Sequence, residues 1–279
     1  MGNRLTDELK AAGTLQFWFE YVSGSLLNRG LGALPAPTLS GTPIWRRTKK
    51  GIAVAGGANA GGMGGLDYGV AASCDFTTAG AIWCVYNTIV LPVSGYQVVM
   101  SKQNWGAGLN GYSIYLDAVF NRFSLSDGVG DQTINVSRAG MAGVGAPMFL
   151  GLSWGGGQRS EYINGAKVSS EALTHVPAPA GMDLVMCSDL SKNYTSYGGI
   201  LYAGGNNTQL TDAQMARLFD EFINSPMQSA DLPRRNFVYI DKGKADWEYA
   251  AAGIVLDTKF ESIMVGGTRK IADDSPSNY

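Results

Sequence analysis

Apolar and polar residues alternate with a period of two along most of this chain, the pattern of strands with one face in a core and the other toward water. Leu15, Phe17, Phe19 and Tyr21 share one face, while Gln16 and Glu20 take the other. Residues 82–89 are mostly apolar on both faces, as expected of a central strand. Tyr112, Ile114 and Leu116 oppose Ser113, Tyr115 and Asp117; Phe123 and Leu125 repeat the pattern, as do Ile134 and Val136 after an Asp127-Gly128 turn. Met148, Leu150, Leu152 and Trp154 form another run, and Asn164-Gly165 marks a two-residue hairpin that needs positive φ. Short apolar stretches at 184–187 and 200–203 add further strands. Helical spacing is rare. It predicts one helix over 212–224, with Thr211 and Gln214 as a capping box, Met215, Leu218, Phe219 and Phe222 as its apolar stripe and Pro226 as its stop. A shorter helix over 6–12 has Thr6 as its expected cap. About a dozen strands with Gly-rich turns predict an all-β chain, a two-sheet antiparallel sandwich with one or two short helices.

Composition sharpens this picture. The 38 glycines and the 16% of charged residues suit a turn-rich β domain, and 45% apolar residues rule out a largely disordered chain. A net charge of -2 without a basic stripe argues against nucleic acid as a partner. The single histidine, His175, leaves His-rich metal sites and most catalytic triads without their parts. Cys74, Cys84 and Cys187 form no metal-binding spacing and read as buried thiols, with a Cys74–Cys84 bridge left open. The opening MGNRLTDELKAAG is too polar for a secretory signal, and a lipid anchor would want a second membrane signal. The most apolar window, AIWCVYNTIVLPV, is too short to span a bilayer, so a soluble protein with no membrane partner is expected.

Organisation follows from composition along the chain. Residues 1–13 read as an N-terminal arm, 14–226 as the sandwich and 227–279 as a C-terminal extension. The extension carries three weak strands, at 236–240, 254–256 and 262–265, before a free tail from Asp273, and reads as an attachment or oligomerisation arm. The glycines of 56–65 predict a mobile loop; they lack the Gly-Lys-Ser/Thr ending that grips phosphate.

The succession LQFWFEYVSGS, TLSGTPIWRRTKKGIAVAGG, DFTTAGAIWCVYN, VVMSKQNWGAGLNGYSIYLD, RFSLSDGVGD, FLGLSWGGGQRSEYINGAKV and LTDAQMARLF resembles the LamG-like branch of the concanavalin A-like lectin/glucanase superfamily, over about residues 14–225. The Tyr-x-Asn-Gly hairpin and the closing Leu-Thr-Asp-Ala helix carry most of the likeness. The resemblance implies a jelly roll of two stacked antiparallel sheets, one of them concave, and a fold that hosts lectins, glucanases and structural modules alike.

Chemistry is sparse. The superfamily's hydrolases carry Glu-x-Asp-x-x-Glu on one strand, and no glutamate here begins that run. Glu161 and Asp117 lack a partner carboxylate nearby and read as solvated, outward side chains, so no catalytic residue and no enzyme activity are expected. His175, beside Pro177, reads as a loop or edge-strand histidine. Sugars would stack on exposed aromatics, for which Trp105, Tyr112, Tyr115, Tyr194 and Tyr197 are the candidates; packing is the ordinary role of each. Asp127 and Asp131 flank a Gly-Val-Gly turn and are the candidates for calcium, although a hairpin turn explains them without a cofactor.

A lectin-like sandwich without an export signal fits a tailed-phage virion protein, assembled in the host cytoplasm and released by lysis. The leading expectation is therefore a non-enzymatic virion component, a capsid decoration or tail-associated protein, with other capsid or tail subunits as partners and homo-oligomerisation as the default. The alternative is a carbohydrate-binding module that recognises a host or surface glycan.

Overall fold

A computed structural model describes residues 4–40, 44–48, 51–56, 64–88, 95–104, 110–139, 146–188, 196, 198–224, 237–239, 255–257 and 262–264. The described residues of one unit, 1–226, are built around two antiparallel sheets. The eight-stranded sheet contains β1 (Leu15–Glu20), β3 (Ile44–Thr48), β4 (Gly51–Ala55), β6 (Gly80–Asn87), β11 (Pro147–Gly155), β12 (Gln158–Ile163), β13 (Ala166–Ala172) and β15 (Gly199–Asn206). Its order is β13-β12-β11-β6-β15-β4-β3, with β1 also paired to β15. The seven-stranded sheet contains β2 (Thr38–Ser40), β5 (Gly65–Val70), β7 (Gln97–Asn104), β8 (Asn110–Leu116), β9 (Phe120–Asp127), β10 (Asp131–Ser137) and β14 (Asp183–Met186), in the order β10-β9-β8-β7-β14-β5-β2. The two-sheet antiparallel sandwich read from the sequence is the observed architecture. Residues 227–279 form a separate unit, in which Phe237–Tyr239, Ser262–Met264 and Val255–Asp257 make a three-stranded antiparallel sheet.

Alternation decides which residues meet between the sheets. Phe17, Phe19, Ile82, Cys84, Leu150, Leu152 and Trp154 face Met100, Tyr112, Ile114, Leu116, Phe123 and Leu125 in one buried cluster. Each large apolar side chain removed from water there contributes about 1.5–3 kcal/mol. Adjacent glycines in β15 admit rings on both faces: a Cβ on Gly204 would lie 2.3 Å from the Trp83 ring, and one on Gly205 2.1 Å from the Phe17 ring. Part of the glycine excess thus serves close ring packing inside strands rather than turns. The Asn164-Gly165 hairpin has the expected left-handed pair, at φ 49° and 77°.

A second apolar layer covers the other face of the eight-stranded sheet. Trp18, Trp83, Val85, Phe149 and Leu201 lie beneath α1 (Leu5–Ala11) and α2 (Asp212–Phe219). The Thr211/Gln214 capping box forms as its residues predict. Thr6 does not cap α1: it is buried inside the helix, and the Leu5 amide donates to Glu221 Oε1 at 2.8 Å instead. Leu5 and Leu9 join the second layer, so this segment packs with the sandwich. The register shift between Leu15 and Phe17 sends Leu15 to the same layer, away from Phe17 and Phe19. Cys74, Cys84 and Cys187 are all buried free thiols, which closes the Cys74–Cys84 alternative. Most of the glycine-rich 56–65 stretch lies outside the described residues. No helix among the described residues is long and apolar enough to cross a membrane.

Candidate functional site

With one face of the eight-stranded sheet under helices and the other in the core, the outer face of the seven-stranded sheet is where chemistry collects. Side chains opposite those of Tyr112, Ile114, Phe123 and Leu125 must point outward, and the register sorts them into three rows. One row runs Val98, Tyr115, Arg122, Asn135; the next Ser101, Ser113, Ser124, Thr133; the third Gln103, Gly111, Ser126, Asp131. Gly111 is required in its place: at φ 110° a Cβ would sit 1.9 Å from the Lys102 carbonyl oxygen.

A hydrogen-bond chain crosses these strands. Ser113 Oγ donates to Gln103 Oε1, Gln103 Nε2 donates to Ser124 Oγ at 3.1 Å, and Ser124 Oγ donates to Asp131 Oδ1. Thr133 Oγ1 donates to Asp131 Oδ2, and the Tyr115 hydroxyl lies 3.4 Å from Thr133 Oγ1. Ser101, Gln103, Ser113 and Ser124 are buried, whereas Asp131 and Asn135 are exposed. The chain therefore ends at a carboxylate that faces water and is held from behind. Fully satisfied networks of this kind fix one geometry.

Beside it stands an aromatic and ionic cluster. Tyr96, 38% exposed, meets Tyr115 edge-on with ring centroids 5.4 Å apart. The Arg122 guanidinium lies 5.3 Å from the Tyr96 centroid and 5.5 Å from that of Phe120. Arg122 Nε and Nη2 both donate to Asp117 Oδ2, and Nη1 donates to Asn135 Oδ1. Asp117 Oδ1 also accepts the Val119 and Phe120 amides, at 2.7 Å each. Partial burial opposes ionisation, but the two amides and Arg122 outweigh it and hold this carboxyl below its usual range. Asp117 is thus a turn anchor and ion-pair partner, not the solvated side chain its position predicts.

Glu161 departs further. It is buried between the sheets with Arg159, whose Nε donates to Glu161 Oε1 at 2.6 Å and whose terminal nitrogens donate to the carbonyls of Phe123 and Gln132. The register explains this: Glu161 opposes Leu152 and Arg159 opposes Trp154, both core-facing. The buried pair joins the two sheets and offers no carboxylate to solvent.

The other expected site residues scatter. Tyr112 is buried, its ring packed by Phe76 and Trp154 and its hydroxyl donating to the Cys74 carbonyl, so it is a core residue and no sugar platform. Tyr115 does reach the outer face. Trp105, Tyr194 and Tyr197 lie outside the described residues. Asp127 Oδ1 accepts the Val129 and Gly130 amides at 2.8 Å each, and its Oδ2 lies 3.0 Å from His175 Nδ1. The amides of Gly130 and Val129 together with His175 hold the Asp127 carboxyl far below its usual range. Asp127 and Asp131 therefore serve different partners. Among the described residues no group of three or more His, Cys, Asp or Glu side chains is placed to hold a metal.

Tyr96, Arg122, Thr133 and Asn135 were not among the expected site residues. The signal that finds them is register: once the turns at 117–120 and 127–130 are fixed, Tyr115, Arg122 and Asn135 fall in one row.

No family model matches the chain, and no curated protein matches its sequence. Solved structures match its shape. The binding domain of botulinum neurotoxin DC, in complex with rat synaptotagmin II, aligns with a TM-score of 0.57 at 15% identity, over 81% of this chain and 53% of that one. Domain 4 of AbnA, a GH43 extracellular arabinanase from Geobacillus stearothermophilus, in complex with arabinotriose, gives 0.55 at 15% identity, over 73% of this chain and 97% of that one. A structure of botulinum neurotoxin type C, whose cell entry depends on interaction with two ganglioside molecules, gives 0.56 at 14% identity, over 76% and 52%. The chain spans about half the length of the neurotoxin chains it matches. At these identities the likeness is one of fold alone, a jelly roll of two antiparallel sheets.

Proposed function

We propose that this chain is a non-catalytic carbohydrate-binding module whose glycan lies on the outer face of the seven-stranded sheet. Tyr96, Tyr115, Arg122, Thr133, Asn135 and Asp131 would line the contact. The observation that carries this proposal is the hydrogen-bond chain ending at the exposed Asp131 carboxylate, which Thr133 and Tyr115 connect to the exposed Tyr96 ring. Each carboxylate oxygen accepts more than one hydrogen bond, so Asp131 retains acceptor capacity for sugar hydroxyls after serving Ser124 and Thr133. Tyr96 offers apolar ring surface for the C–H face of a sugar. Fold neighbours bound to arabinotriose, or dependent on gangliosides, support a glycan as the class of ligand. The inaccessible Glu161 supports binding without hydrolysis.

A glycan array probed with the full chain tests the proposal. Asp131→Asn removes the charge from a hydroxyl acceptor, and hydrogen bonds to charged groups contribute about 1.5–3 kcal/mol, so affinity falls by about tenfold or more. Tyr96→Ala weakens the same ligands. Selective binding lost in both variants at unchanged melting temperature supports the site; binding unchanged in both refutes it.

A further inference from the structure

We infer that this face takes neutral glycans and rejects sialylated or otherwise carboxylate-bearing ones; the inference rests on the carbohydrate-binding proposal above. Proton direction and charge on the three rows carry it. Arg122 is the one cation in those rows, and its Nε/Nη2 edge, one of those that can grip a carboxylate, is taken, since both nitrogens donate to Asp117. Its Nη1 is engaged by Asn135. Lys102, on β7, turns inward, where it is buried and held by Asp75 and the Met182 carbonyl.

The hydroxyl donors of the chain are committed as well. Ser113 gives its proton to Gln103, the Gln103 amide serves Ser124, and Ser124 and Thr133 both give theirs to Asp131. With the Thr133 proton spent on Asp131, the Tyr115 hydroxyl donates to Thr133 Oγ1. Every hydroxyl proton in the chain is handed on toward Asp131, so what the hydroxyls and the carboxylate present at the exposed end is acceptor. Among the described residues no cation lies within ion-pair distance of Asp131. The next carboxylate on the same strand end, Asp127, is paired with His175. A sugar hydroxyl brings the proton that Asp131 lacks. A sugar carboxylate brings none, and adds like charge, which suppresses wrong partners.

Titration calorimetry of the full chain against matched oligosaccharides, each neutral and in a sialic acid-capped form, tests this. The neutral member should bind at least about tenfold more tightly. Asp117→Asn keeps an acceptor for the Val119 and Phe120 amides but releases the Arg122 edge, and should raise affinity for the capped members by about tenfold while leaving the neutral ones within about twofold. Should that variant melt early, Asp131→Asn gives the second readout, a narrowed gap between neutral and capped ligands. Capped glycans bound as tightly as neutral ones by the unaltered chain would overturn the inference and leave the carbohydrate proposal standing. Binding of neither kind would overturn both, and a gap unchanged in a folded Asp117→Asn or Asp131→Asn chain would overturn the charge argument.

Discussion

Glu161→Ala strips the counter-charge from a guanidinium that water does not reach. Arg159 and Glu161 both have fully buried side chains, and the two sheets meet through them. After the substitution, the carbonyls of Phe123 and Gln132 still accept from Arg159, but its charge stands uncompensated in the interior. Breaking a buried pair from one side costs about 3–5 kcal/mol. In a domain of this size, where each kcal/mol moves Tm by about 2–4 °C, that amounts to a fall of about 6–20 °C. The pKa directions agree on the underlying cost: burial pushes the Glu161 carboxyl above its ordinary 4.5, against the pull of Arg159, and pushes Arg159 below its ordinary value. A carboxyl raised in the folded state favours folding below its ordinary pKa, and that contribution is lost as pH rises through the raised value. The pair is therefore expensive to keep and worse to break. Replacing both partners together, as Arg159→Met with Glu161→Leu, should be neutral or stabilising. Urea unfolding followed by tryptophan fluorescence, with thermal melts, measures all three chains. A single substitution costing less than about 1 kcal/mol, or a double variant as unstable as the single, would refute the burial argument.

Two further outcomes follow from groups on the page. The lowered Asp127 carboxyl stabilises the fold above its ordinary 3.8, and this contribution disappears as pH falls through the lowered value. Melts of the unaltered chain and Asp127→Asn should thus converge as the pH drops below about 4, and a gap that ignores pH would exclude the turn as its source. Burial pushes the Cys74 thiol up to about 11, the Cys187 thiol up to about 12 and the Cys84 thiol higher still. Thiol titration at pH 8 should accordingly find no fast-reacting cysteine in the folded chain and three after denaturation; a fast thiol in the folded chain would contradict the packing.

Much of the sandwich was legible because its strands alternate cleanly. Tyr112–Leu116 and Phe123–Leu125 reveal their inward faces in the sequence, and the Asn164-Gly165 turn and the Thr211 cap are local chemistry. What local pattern misses is pairing across distance. Glu161 looks solvated until β12 is set against Leu152, and Thr6 looks like a cap until Glu221 arrives from the far end of the domain. The outer-face site is non-local too: Tyr96, Arg122 and Asn135 come from three stretches that only hairpin register brings together.

The Glu221 carboxylate that accepts the Leu5 amide reaches across 216 positions of sequence. The polypeptide thus enters and leaves the jelly roll at the same doorway. A bead threaded in that manner tolerates relocation: a short linker could fuse its two ends while a new break is opened elsewhere, or the whole unit could be spliced into a surface loop of an unrelated host without prising the host's strands apart.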